Sequence, residues 1–300
     1  KINNDLSISG YLQDLILQFL TMIEASIGPS AFIKIFYSLS SISLLGIGIL
    51  FISIFSLNYH LKTNQLSSSQ SINPSLIFGL SGILFLSMVI YAMTSAYWHT
   101  PFNLSNRSLI YPSLLISYLL ASLIPSNKQL LLFTGIIFLA SNLGLSDHWK
   151  DWNHKQKIVI ERVNNNSIIQ ASENATFFVS KNLYSKLGPY SYIEFFSMPW
   201  NVRAIFQEDQ DTNFIAITPY LKISKSRALD LKSNIKHPIH KTTYYFDSSS
   251  GILKKVSLEE LKGLIEETET IHRHWIQFFK GTIIERVVIK LAPSLSYLFA

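Results

Sequence analysis

Asp147, His148, Asp151 and His154 follow one another at intervals of one, three and three residues. On a helix, Asp147, Asp151 and His154 share a face. Carboxylates and imidazole so spaced can hold a divalent cation, the one cofactor these residues suggest. The same pattern also suits a hydrated, salt-bridged helix face, and the interspersed Lys150 and Lys155 favour that reading. Arg107 is the first Arg in the chain, and the next is Arg162. It closes a segment that holds Trp98, His99 and Asn106. A lone guanidinium there suits bidentate capture of a phosphate on a lipid-linked donor, with His99 beside it. The alternative is an interfacial anchor whose charge snorkels to water.

Other chemistry-bearing residues are weaker. His237 and His240, and His272 and His274, lack a third ligand nearby and read as surface histidines. Glu194 lies among Tyr190, Tyr192, Phe195 and Phe196 and reads as a core-edge carboxylate. There is no glycine-rich phosphate loop, dinucleotide fingerprint or nucleophile elbow. ATP-driven and hydrolase chemistry therefore lack support, and no residue is identified as catalytic.

The element that must position these residues runs over 128–164. Leu130 to Leu145 is nearly continuous apolar sequence, after which the chain becomes polar without losing its helical period. Trp149, Trp152, Gln156, Val159, Ile160 and Val163 recur at three- and four-residue steps. At ~1.5 Å per residue such a helix reaches ~54 Å, against a hydrocarbon core of ~30 Å. It is expected to cross a bilayer and project beyond it. Trp149 and Trp152, like Trp98, are expected as interface anchors.

Composition supports the bilayer. Of 300 residues 48% are hydrophobic and only 15% charged, against roughly 25% charged in ordinary soluble domains. From Phe36 to Leu145 the charged residues are Lys62, Arg107 and Lys128 alone. The net charge of +6 lies mostly in the tail and beside it. Without basic clusters interleaved with aromatics, nucleic-acid binding is unsupported, and membrane lipids are the expected partner. The absence of cysteine excludes disulfides and thiolate metal sites.

The expected fold class is an α-helical membrane bundle of four transmembrane helices plus an amphipathic N-terminal helix, followed by a small mixed α/β tail domain. Residues 1–30 form an amphipathic or partial helix, with a stripe at Leu12, Leu15, Ile16, Phe19, Leu20 and Ile23. Residues 31–146 form the bundle, with spans at about 35–57, 76–93, 109–124 and 129–146. Residues 147–300 form the helical extension and the tail. In the tail, Ala175–Ser180 and Asn213–Thr218 read as strands, and Tyr190–Met198 is ambiguous. Thr242–Asp247 and Ile252–Val256 read as a hairpin turned by Gly251. Ser257 and Glu260 have capping-box spacing, and Ile271–Leu291 reads as one last helix. The chain opens on Lys1 without a signal-like segment and is expected to be the C-terminal portion of a longer multi-pass protein.

Two segments resemble one class of bacterial multi-pass envelope proteins. In the first, Tyr91 through Trp98-His99-Thr-Pro to Asn106-Arg107-Ser-Leu, a span ends in an aromatic, polar loop whose Arg starts the next span. In the second, Trp149-Lys-Asp-Trp152-Asn-His-Lys-Gln156, a Trp/Gln helix leads into an α/β tail. Such proteins are grouped with membrane glycosyltransferases and polysaccharide-assembly proteins. The resemblance covers about residues 75–200 and carries no catalytic residue across. It implies envelope glycan assembly, with glycosyl transfer from a lipid-linked sugar if the chain is enzymatic. A non-enzymatic scaffold whose tail binds envelope-complex partners is the alternative.

A transporter is the third reading. Against it, the four expected spans hold no acidic residue and no broken-helix pair. The resemblance places the protein in a bacterial inner or plasma membrane with an extracytoplasmic tail. The positive-inside count opposes that side: Lys34, Arg107, Lys150, Lys155 and Lys157 flank the tail's side, and Lys62 and Lys128 the other.

Overall fold

The computed structural model describes residues 8–63, 73–94, 110–123, 127–180, 183–196, 199–207, 214–218, 221–224, 227–230, 235–265 and 275–291, with 293, 296 and 299 singly. The helices of its first half are α1 (Ile8–Ile27), α2 (Pro29–Leu39), α3 (Leu44–Thr63), α4 (Pro74–Thr94) and α5 (Ile110–Leu123). The long helix α6 runs without interruption over Lys128–Asn164, as its period requires. Two compact units divide the chain. The first holds Lys1–Trp149, Leu187–Tyr190 and His272–Ala300; the second holds Lys150–Lys186 and Ser191–Ile271.

Four helical segments are long and apolar enough to cross a membrane: Gln18–Leu39, Leu44–Thr63 and Pro74–Met93 in the first unit, and Lys128–Asn164, which begins in the first unit and ends in the second. This is compatible with an integral membrane protein. The packing is inside-out in the same sense. On α1, Gln18, Thr21, Met22 and Ala25 are buried, while Leu12, Ile16, Phe19 and Leu20 are exposed. Small polar residues elsewhere, Ser30, Ser38, Ser87 and Ser141, are also buried. Small side chains let helix backbones approach, and large apolar ones suit a surrounding of lipid. Helix α1 packs on α2, α4 and α5 and so belongs to the bundle.

The expected boundaries shift in two places. The single span expected over 35–57 is instead the end of α2 and most of α3, separated at 40–43. Ser40, Ser41 and Ser43 supply the break, because serine hydroxyls compete for backbone groups and favour caps. The first candidate span begins earlier, at Gln18, and is itself interrupted at Gly28. Lys34 consequently lies within a candidate span, not in a flanking loop. Helix α5 covers 14 described residues, about 21 Å at ~1.5 Å per residue, and is not among the four.

The second unit is built on strand β1 (Ala175–Val179), all five residues of which are buried. The short helix α7 (Ser167–Gln170), capped by Asn166, precedes β1. Strands β2 (Leu183–Leu187) and β3 (Tyr190–Phe195) pair with each other, and the turn that joins them, Leu187–Tyr190, belongs to the first unit. Helix α8 (Pro199–Phe206) follows, then β4 (Phe214–Ile217), β5 (Leu221–Ser224), β6 (Arg227–Asp230) and β7 (Lys236–Pro238). Next come β8 (Thr242–Asp247), β9 (Ile252–Lys255) and α9 (Leu258–Ile265).

The main sheet has the order β4-β1-β8-β9, with β1 parallel to both neighbours and β8 antiparallel to β9. Covering on both faces accounts for the unbroken burial of β1, in which Thr176, its one polar residue, accepts from His240 N–H at 3.0 Å. Phe177 stacks on Tyr244 at 5.3 Å and meets Phe206 at 5.6 Å, and Phe206 meets Phe246 edge-on at 5.6 Å. Phe178 joins Ile217, Leu221, Ala228, Val256 and Leu261 in a separate cluster. Strands β5, β6 and β7 form an antiparallel sheet that the sequence reading did not identify. The expected capping box forms, with Glu260 N–H donating to Ser257 Oγ at 3.2 Å and Ser257 N–H donating to Glu260 Oε2 at 2.9 Å.

The helix expected over 271–291 is a 3-10 turn at Trp275–Phe279 followed by α10 (Ile283–Leu291). Gly281 lies between them at φ +80°, a left-handed conformation that ends one helix and starts another.

Candidate functional site

Arg107, His99 and Trp98 lie outside the described residues, as do His272 and His274. Asp147 is buried, and its carboxylate accepts from Ser43 N–H at 3.0 Å and from Ser43 Oγ–H at 2.7 Å. Asp151 and His154 are exposed. Among the described residues no group of three His, Asp or Glu side chains is placed to hold a metal ion. Asp147 instead serves the start of α3, where free N–H groups and the positive end of the helix dipole favour a carboxylate.

Trp149 is exposed. Trp152 departs from expectation. It is buried, as are Val159 and Val163 on the same helix, and Lys155 Nζ lies 5.9 Å from its ring centre. The three-and-four period that identified this stripe is the period of a core-facing helix, and Trp152 sits on that face.

The strongest constellation in the first unit centres on Glu24, on α1. Helix α1 ends where Gly28 N–H donates to the carbonyls of Ile23 and Glu24, both at 3.0 Å. Pro29 then opens α2, where its missing N–H costs nothing. The Glu24 side chain spans this break, and its Oε1 accepts from Ser30 N–H at 3.1 Å. The same oxygen accepts from the Trp275 indole N–H at 2.7 Å, across 251 residues of sequence. Glutamate four residues before a Gly-Pro pair was the available signal.

Aromatic rings gather around this carboxylate. Burial raises the phenol pKa of Tyr190, and the charges of Tyr37 and Glu24 add to the effect. The Tyr190 ring meets Phe278 edge-on at 5.9 Å, and Trp275 meets Phe279 edge-on at 6.0 Å. Tyr37 lies against Gly188, where an added Cβ would come within 2.5 Å of its ring. Gly188 has φ +60°, so both conformation and contact call for glycine there.

No family model, curated protein or solved structure matches the chain.

In the second unit, His237 is buried, not a surface histidine, and its Nδ1 lies 3.5 Å from Arg203 Nη2. Burial, then the Arg203 charge, hold its pKa below the ordinary 6.5, while Asp230 acts in the opposite sense. Asp230 is itself buried and accepts from Thr218 Oγ–H at 3.4 Å. This cluster ties β6 and β7 to α8. Glu194 is half-buried in β3.

Proposed function

We propose that the chain takes part in envelope glycan assembly as a multi-pass membrane protein that binds a lipid-linked sugar. The observation that carries this reading is the Glu24 carboxylate, bonded to the Trp275 indole at 2.7 Å with Tyr190 beside it. A carboxylate accepts hydrogen bonds from sugar hydroxyls, and aromatic faces pack against the C–H faces of pyranose rings. The break at Gly28 puts that carboxylate within a candidate span, where ionisable residues mark functional sites. Arg107 remains the residue proposed for the donor's phosphate.

The test is binding of a polyprenyl-phosphate-linked monosaccharide to the full chain in proteoliposomes, followed by the fluorescence of Trp275 with the other tryptophans replaced by Phe. Saturable quenching that Glu24→Gln weakens at least tenfold supports the proposal. A flat isotherm overturns it. Unchanged binding in Arg107→Ala removes the phosphate role of that residue alone.

One observation favours a second reading, ion-coupled transport. The absence of an acidic residue and of a broken helix from the expected spans argued against it. Glu24 lies in a candidate span that is interrupted at Gly28, and such breaks are where transport sites are built. Proton flux into vesicles that Glu24→Gln abolishes, without sugar-dependent quenching, would select this reading.

A further inference from the structure

We infer that α10 is an amphipathic anchor lying along an anionic membrane surface, with Ile283, Ile284, Val287 and Leu291 in the acyl region. Their exposures are 73%, 48%, 49% and 80%. Their spacing places all four on one arc of the helix. Phe278, in the preceding turn, is also exposed. A run of large exposed apolar side chains at helical spacing is costly in water.

Three further observations select lipid as the occupant. The nine residues of α10 reach only about 14 Å at ~1.5 Å per residue, too short to cross ~30 Å of hydrocarbon. The segment 280–291 carries Lys280, Arg286 and Lys290 against Glu285, three positive charges less one negative, a net +2. Arg286 and Lys290 are exposed and lie along one edge of the apolar arc, where basic heads can meet anionic headgroups. Glu285 is turned back and accepts from Gly281 N–H, so the one acid is held at the start of the helix. Residues 272–300 also belong to the same compact unit as the candidate spans. The inference does not depend on what Glu24 binds.

The chain has no cysteine, so single labels report cleanly. Full chain carrying Ile284→Cys or Arg286→Cys, each nitroxide-labelled, is placed in nanodiscs of phosphatidylcholine with phosphatidylglycerol. Accessibility to oxygen and to a water-soluble nickel chelate is then compared. The position-284 label is expected to favour oxygen over nickel several-fold more than the position-286 label. Removing charge with Arg286→Gln and Lys290→Gln is expected to raise nickel access at 284 in anionic discs and leave neutral discs unchanged. Equal nickel access at 284 and 286 overturns the inference. Dipolar broadening between labels at 284, showing a second copy on this face, overturns it as well.

Discussion

Asp147 Oδ2 accepts both the backbone N–H and the hydroxyl of Ser43, at 3.0 and 2.7 Å, across 104 residues of sequence. Ser43 Oγ in turn accepts from Gly46 N–H at 3.1 Å. A carboxylate on α6 thus holds the cap of α3. Glu24 does the equivalent at the start of α2, through Ser30 N–H. Two acidic side chains, each at a helix break, make the breaks stable.

Asp147→Asn should lower stability by about 1–2 kcal/mol, the range for losing a charged cap at a helix N-terminus. Ser43→Ala should cost a similar amount, and the double variant less than the sum, because both act on one bond set. Thermal unfolding in one detergent measures all three. An unchanged midpoint in Asp147→Asn would show that the contact contributes nothing.

Gly144 and Gly48 are both helical, yet their surroundings differ. A Cβ on Gly144 would lie 1.9 Å from the Ser38 carbonyl oxygen, beside the 2.9 Å bond between Ser38 and Ser141 hydroxyls; one on Gly48 would meet nothing within 4 Å. Gly144→Ala should force α2 from α6 and cost about 1–3 kcal/mol, as overpacking does. Gly48→Ala should be neutral or stabilising by up to ~1 kcal/mol. Proteolysis of the detergent-solubilised protein would separate them; equal behaviour would refute the close approach.

His237 makes the second unit acid-sensitive. Its folded-state pKa is depressed by burial first and Arg203 second, so folding favours the neutral ring. Stability is therefore full above the unfolded-state value of 6.5 and falls as pH drops through the lower folded value. His237→Gln should flatten that part of the profile. A wild-type denaturation midpoint that stays level as pH falls from 7 to 5 would contradict it.

Gly251 turns the β8–β9 hairpin at φ +75°, and an added Cβ would lie 2.4 Å from Arg162 Cδ. Arg162 Nη1 donates to the Ser250 carbonyl at 2.8 Å. Gly251→Ala should cost about 1 kcal/mol or more from the left-handed backbone alone, and Arg162→Ala should relieve only the steric part. Chemical denaturation of both single variants and the double tests this; full rescue would mean the backbone carries no strain.

What could be read from the sequence was what neighbouring residues settle among themselves. The apolar runs, the continuity of α6, strand β1, the hairpin turned at Gly251 and the Ser257–Glu260 box all depend on contacts within a few residues or on one hydrophobic period. The tertiary structure alone decided the partners of the acids. Asp147 looked like a metal ligand because its neighbours on α6 are acidic and imidazole-bearing, yet a serine 104 positions away takes its carboxylate. The Glu24–Trp275 pair spans 251 residues, and α1 buries Gln18 and Thr21 beside Met22 and Ala25 while Leu12, Ile16, Phe19 and Leu20 stay exposed. Periodicity gives the faces of a helix, but which face meets protein depends on what surrounds it, and that is a long-range property of the fold.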